Sequence, residues 1–156
     1  MDGALSVASY LYAEYLKKVS SDMSEMRMHK LMYFLQRESL IELGTVLFDE
    51  SFHGWKFGSV LKSVRSAYME AKQKNMPLFF QVDNNVSKEA KELVDTVLER
   101  YGNMSAWKLS ALSHDEFSWI LSRKGLKPDE TGDVELSLNA MKCDALREYV
   151  RRRKQV

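Results

Sequence analysis

The sequence predicts a mainly α, compact single domain: a bundle of about six to seven helices with one short β-hairpin near residues 46–57. Three observations support this. Apolar residues recur at intervals of three and four along most of the chain. Serines and glycines stand where helices should start and stop. In one stretch, crowded with aromatics, the helical spacing is lost. With 156 residues, 45% hydrophobic and 29% charged, the chain has globular proportions and can bury a full core.

Leu5, Ala8, Tyr12, Tyr15, Leu16 and Val19 share one helical face, with Asp2 as the start signal. Ser20-Ser21-Asp22 breaks the pattern. Ser24 then caps a second helix whose Met28, Leu31, Met32 and Leu35 form a stripe ending near Gly44. Leu47, Phe48, Phe52, Trp55 and Phe57 lie too close together for an amphipathic helix, and Asp49-Glu50-Ser51 has turn composition, which places the hairpin here. A third helix runs from Ser59 to about Lys74, with Val60, Val64, Ala67, Tyr68 and Ala71 inward, and Asn75-Met76-Pro77 ends it. Phe79-Phe80-Gln81-Val82 reads as a short extended segment.

Ser87 opens the clearest helix, carrying Ala90, Leu93, Val94, Val97, Leu98 and Tyr101, with Gly102 in the left-handed stop position. Ser105 caps a short helix with Trp107, Leu109 and Leu112. Ser113-His114-Asp115-Glu116 has the form of a capping box for another, through Phe117, Trp119, Ile120 and Leu121 to Gly125. Residues 127–133 are polar and turn-rich and form an exposed loop. Past Ser137, the residues Leu138, Met141, Ala145, Leu146, Tyr149 and Val150 support a last helix that Lys142 to Asp144 could interrupt. The tail, residues 151–156, begins with the basic run Arg151-Arg152-Arg153-Lys154.

A formal net charge of +1 gives no global field for a polyanion, which argues against nucleic acid as a partner. The basic run is read first as cations at a helix C-terminus, with a phosphate-binding tail as the second reading. Cys143 stands alone, which fits a reducing compartment, and is expected to be a small buried or half-buried residue. No secretory leader or membrane span is legible, so a soluble, cytoplasmic protein is expected.

His29, His53, His114 and Cys143 lack metal-ligand spacing, and no glycine-rich phosphate loop occurs. No metal, cofactor or catalytic residue is therefore assigned. His114 beside Asp115 and Glu116 invites an acid–base reading, but capping explains those positions better. A hydrolase built on His114 and Cys143 has no local support. The large aromatics are mostly core, while the Phe52–Phe57 turn and the Trp119 segment are where a partner anchor would sit, with Phe52, Trp55, Phe57 and Trp119 as candidates.

One order of residues is more specific than any of this. Lys30-Leu31-Met32-Tyr33-Phe34-Leu35-Gln36 is followed by Leu47-Phe48-Asp49-Glu50-Ser51-Phe52-His53-Gly54-Trp55-Lys56-Phe57-Gly58-Ser59-Val60. It resembles the Panacea domain, the SocA-like antitoxin family also described as phage-associated GepA-like proteins, whose signature runs K-L-x-Y-F-x-Q and then L-F-(D)-E-x-F-x-A-W-x-Y-G-P-V. The likeness continues through Tyr101-Gly102, Ser105, Leu109-Ser110, His114 and Trp119. The matched positions are Lys30, Leu31, Tyr33, Gln36, Phe48, Trp55, Gly58, Val60, Tyr101, Gly102, Leu109, His114 and Trp119. Gly54, Ser59 and Ser118 depart from the pattern, standing where the family has alanine, proline and proline; Ser59 can cap the third helix in proline's place.

The resemblance implies a non-enzymatic prokaryotic or phage antitoxin that masks a cognate toxin protein encoded by a neighbouring gene. An adaptor that delivers a partner to a cellular protease, with the 127–133 loop or basic tail as second contact, is the alternative.

Overall fold

The computed structural model describes residues 1–19 and 21–155. Ser20, in the expected break between the first helices, and Val156, at the end of the expected tail, lie outside the described residues. The elements in chain order are α1 Ala4–Lys18, α2 Glu25–Glu42, β1 His53–Trp55, β2 Gly58–Val60, α3 Lys62–Gln73, α4 Lys88–Tyr101, α5 Ala106–His114, α6 Phe117–Ser122, β3 Val134–Glu135 and α7 Leu138–Lys154. The mainly helical expectation holds.

Helix α2 is the axis of the molecule. Every residue from Met28 to Leu40 is buried, because α1, α3, α4, α5, α7 and β2 all pack on it. A helix covered on all sides is normally apolar all round. This one carries His29, Lys30, Gln36, Arg37, Glu38 and Ser39 inside, and each must find a polar partner or incur a desolvation cost.

The caps expected at Ser24, Ser87 and Ser105 form, and Ser137 caps the last helix in the same way. Ser24, Ser87, Ser105 and Ser137 accept hydrogen bonds from the N–H groups of Arg27, Ala90, Lys108 and Ala140, each worth about 1 kcal/mol. Gly44 has φ +74° just past α2, as a left-handed stop requires. Gly102 does not: at φ −59°, ψ −33° it continues the right-handed turn of α4. Asp2 does not cap α1 either. It accepts from the Ser87 N–H at 2.9 Å and hydroxyl at 2.6 Å, pinning the start of α1 to the start of α4.

The hairpin lies later than expected. Its turn is Lys56-Phe57, closed by Trp55 opposite Gly58, while Leu47 and Phe48 are buried in irregular chain ahead of it. Gln36 holds that chain, its amide nitrogen donating to the Phe48 carbonyl at 2.8 Å and its amide oxygen accepting from the Leu47 N–H at 2.8 Å. Ser59 is consequently a strand residue. Helix α3 begins at Lys62 with no side-chain cap at Leu61, and Glu50 accepts from the Ser63 N–H at 3.0 Å instead. Residues 79–82 form turns with positive φ at Phe79 and Gln81 rather than an extended segment, so that Phe79 can bury its ring against Tyr12 and Tyr68.

A third strand, β3, closes the polar loop and pairs antiparallel with β1, giving the order β2-β1-β3. Gly54 is the crowded point of this sheet. A Cβ placed there would lie 1.8 Å from the Ser122 hydroxyl and 2.7 Å from its Cβ. Gly54→Ala should therefore destabilise the fold by about 1–3 kcal/mol, and adding Ser122→Gly should recover most of the loss. A thermal double-mutant cycle measures this, and additive losses would contradict the steric account.

The expected capping box at Ser113–Glu116 is absent. Helix α5 runs on to His114, and α6 has no local side-chain cap. Asp144 supplies one from α7, accepting from the N–H groups of Phe117 at 2.7 Å and Ser118 at 2.9 Å. Helix α7 is uninterrupted through Lys142–Asp144 and includes the basic run in its last turn. Its inward face carries Asp144 and Glu148, while Leu146, Tyr149 and Val150, expected in its apolar stripe, are exposed. Cys143, expected to be buried or half-buried, is also exposed.

Candidate partner-binding groove

An open groove of about 650 Å³ runs between the first turns of α2, the hairpin, the start of α3 and residues 131–133. Its lining includes Met26, Lys30, Trp55, Phe57, Gly58 and Val60. Four of these, Lys30, Trp55, Gly58 and Val60, are signature positions read from the sequence. Phe57 projects from the turn and is 61% exposed, with the Lys56 ammonium 5.2 Å from its ring centre.

The turn is held from several sides. The Phe57 carbonyl accepts from the Lys30 ammonium at 3.2 Å and the His114 Nε2–H at 3.1 Å. The Trp55 carbonyl accepts from the Trp119 indole N–H at 2.8 Å. The His114 and Trp119 rings stack, with centroids 4.6 Å apart and planes 16° from parallel. On the other side the Trp55 indole N–H donates to Asp133 at 2.9 Å, and Lys62 pairs with the same carboxylate at 2.7 Å. Those bonds hold the Asp133 carboxyl below its ordinary value. A glycine is needed at Gly58, where φ is +137°. The distant signature residues Lys30, His114 and Trp119 thus converge on one two-residue turn.

Beside the groove, Glu25 accepts from His29 Nε2 at 3.0 Å and Arg65 at 2.6 Å, while His29 Nδ1 accepts from the Leu61 N–H at 3.3 Å. Burial comes first among the influences on Glu25 and would raise its carboxyl, but the bonds from His29 and Arg65 bring it below the ordinary value. Lys30 is pushed below its ordinary value by burial alone.

The remaining signature residues build the support. Leu31, Phe48 and Leu109 are core. Tyr33 shares a hydrogen bond with Ser118 and donates to Asp144, both at 2.9 Å; burial, then the charges of Glu116 and Asp144, hold its hydroxyl well above the usual range. Tyr101 stacks on Phe34 at 4.5 Å and accepts from Arg37 at 2.7 Å. Arg37 also donates to Glu116, which Arg147 contacts at 2.7 Å. Burial raises the Glu116 carboxyl from its ordinary value against the pull of Arg37.

Of the anchor candidates, Trp55, Phe57 and Trp119 meet at the turn. Phe52 does not: it is 1% exposed, its ring 5.7 Å from Tyr33 and 5.9 Å from Phe48, and it has no surface to offer a partner. His29 and Asp133 were not foreseen as groove residues, because each is placed there by contacts across the fold. Trp107, grouped with the aromatics expected to be mostly core, is 81% exposed. Among the described residues no group of acidic, histidine or cysteine side chains could hold a metal, and no helix is long and apolar enough to cross a membrane.

The family model of the SocA-like antitoxin, Panacea domain, matches residues 28–120, which run from the buried part of α2 through the hairpin to Trp119 and Ile120 of α6. That is more than half of the chain, and the chain belongs to this family. No curated protein and no solved structure matches it.

Proposed function

We propose that this protein is the antitoxin of a prokaryotic or phage toxin–antitoxin system. It works in the cytoplasm, without breaking or forming bonds, by binding a cognate toxin protein encoded next to it and masking that toxin's active surface. Family membership is the main support, and the observation that carries the reading is the groove itself. Signature residues far apart in sequence converge to hold one turn, and that turn presents Phe57 beside an open, largely apolar channel. Exposed aromatics at the mouth of a pocket are common anchors of protein interfaces.

Expressing the neighbouring gene alone should arrest growth, and adding this protein should restore it with the two co-purifying as a stable complex. Arrest without rescue and without a complex would reject the proposal. Rescue accompanied by a shortened toxin lifetime would instead identify delivery to a protease.

A further inference from the structure

The geometry points to Lys30 as the receptor for a carboxylate, so that the groove takes an aspartate or glutamate side chain of the partner protein, carried beside apolar residues. This deepens the antitoxin reading and rests on it for the source of the carboxylate.

Lys30 is only 6% exposed, yet it lines the groove. An ammonium carries three donors and a full charge. Among the described residues its one hydrogen bond is to the neutral Phe57 carbonyl at 3.2 Å, and no carboxylate lies within ion-pair distance. A buried cation without a counter-ion is costly to keep. The two acids of the groove are already engaged, Glu25 with Arg65 at 2.6 Å and Asp133 with Lys62 at 2.7 Å. Neither is free to serve Lys30. The walls around it come from Met26, Trp55, Phe57 and Val60, which would exclude water from an arriving acid and strengthen its charge-assisted bond.

A bracing role alone accounts poorly for the charge. The Phe57 carbonyl already receives a second donor from His114 at 3.1 Å, and a neutral amide at position 30 would brace it without a desolvated charge. Lys30→Gln and Lys30→Arg therefore separate the two roles. If the charge serves recognition, Lys30→Gln melts at or above the wild type, since an uncompensated charge has been removed. A clearly lower melting point would mean that the bond to the Phe57 carbonyl accounts for Lys30 without a partner carboxylate, and would overturn the inference.

Binding can be read on the protein alone by titrating 4-phenylbutyrate, 4-phenylbutyramide and inorganic phosphate while following the Trp55 indole N–H resonance. The acid should bind at least about tenfold more tightly than the amide, as a charge-assisted bond implies. Lys30→Gln should abolish that preference and Lys30→Arg retain it. Equal binding of acid and amide, no shift at all, or tighter binding of phosphate would each overturn the inference, the first by assigning the groove to a purely apolar segment.

In the growth assay, Lys30→Gln should lose rescue while Lys30→Arg keeps it. If Lys30→Gln rescues as well as the wild type, the carboxylate inference falls and the antitoxin reading stands. If the wild type itself fails to rescue, the antitoxin reading falls and the titration still decides whether the groove receives a carboxylate.

Discussion

Asp144→Ala is expected to lower the stability of the protein by about 3–5 kcal/mol, because a single buried carboxylate satisfies three donors, two of them in fully buried bonds. Asp144 is 1% exposed and accepts from the Phe117 and Ser118 N–H groups and the Tyr33 hydroxyl. Alanine would leave the first turn of α6 without its cap and Tyr33 with Ser118 alone. For a chain of this length the loss corresponds to a melting-point drop of roughly 6–20 °C. Asp144→Asn, which keeps an acceptor, should lose less. Because α6 carries Trp119, the indole bond to the Trp55 carbonyl should loosen in the alanine variant, visible as faster exchange of the Trp119 indole proton. A variant that melts within about 1 °C of wild type would contradict this account of α6.

Arg152→Ala should cost about 3 kcal/mol, while Arg153→Ala, next to it, should cost almost nothing. The two face different surroundings. Arg152 grips both carboxylate oxygens of Glu38 at 2.8 and 2.9 Å, and Glu38 is wholly buried in the middle of α2. Removing the guanidinium leaves that acid without its counter-ion. Arg153 lies over the Tyr149 ring at 5.5 Å and donates to its hydroxyl at 3.2 Å, both at the surface.

The same end of α7 makes a pH prediction. Burial would raise the Glu148 carboxyl, but the hydrogen bond from Arg151, the charge of Arg37 and the bond from Arg152 outweigh it and bring it to about 2. A carboxyl depressed on folding stabilises at pH above its unfolded value, here 4.5, and that contribution is lost as pH falls from 4.5 toward 2. Arg152→Ala removes one of these cations, so its acid unfolding should move to higher pH than that of the wild type. Chemical denaturation at pH 7 and at pH 4 measures both effects. Equal losses for the two arginine variants would mean that Glu38 finds another partner.

What could be read in advance follows the reach of each interaction along the chain. The caps at Ser24, Ser87 and Ser105 were legible because a serine hydroxyl and the N–H it accepts from are three residues apart. Glycine at Gly44 was legible for the same reason. Asp2 and Asp144 also hold helix starts, but on elements remote in sequence, and no local spacing encodes that. Asp144 broke the apolar periodicity of α7 and invited a reading of interruption over Lys142 to Asp144, and the basic run was read as a tail, when Asp144 and Glu148 are the inward face of one continuous helix that includes that run.

The hairpin was foreseen as a kind of element and misplaced by several residues. Asp49-Glu50-Ser51 has the composition of a turn, but Gln36 and the burial of Leu47 and Phe48 determine the path of that segment. The family signature was read correctly as an order of residues. Its physical content, that Lys30, His114 and Trp119 hold the turn bearing Trp55 and Phe57, became visible only once the chain was folded.

The pairing of α2 with α7 bears on how a shorter version of this protein would behave. The stretch by which the family is recognised stops at residue 120, but Tyr33, Glu38 and Glu116 inside it draw partners from Asp144, Arg147 and Arg152 beyond it. A fragment trimmed to that boundary would strand ionised groups in its own interior. The smallest piece able to fold independently is therefore longer than the piece by which relatives are recognised.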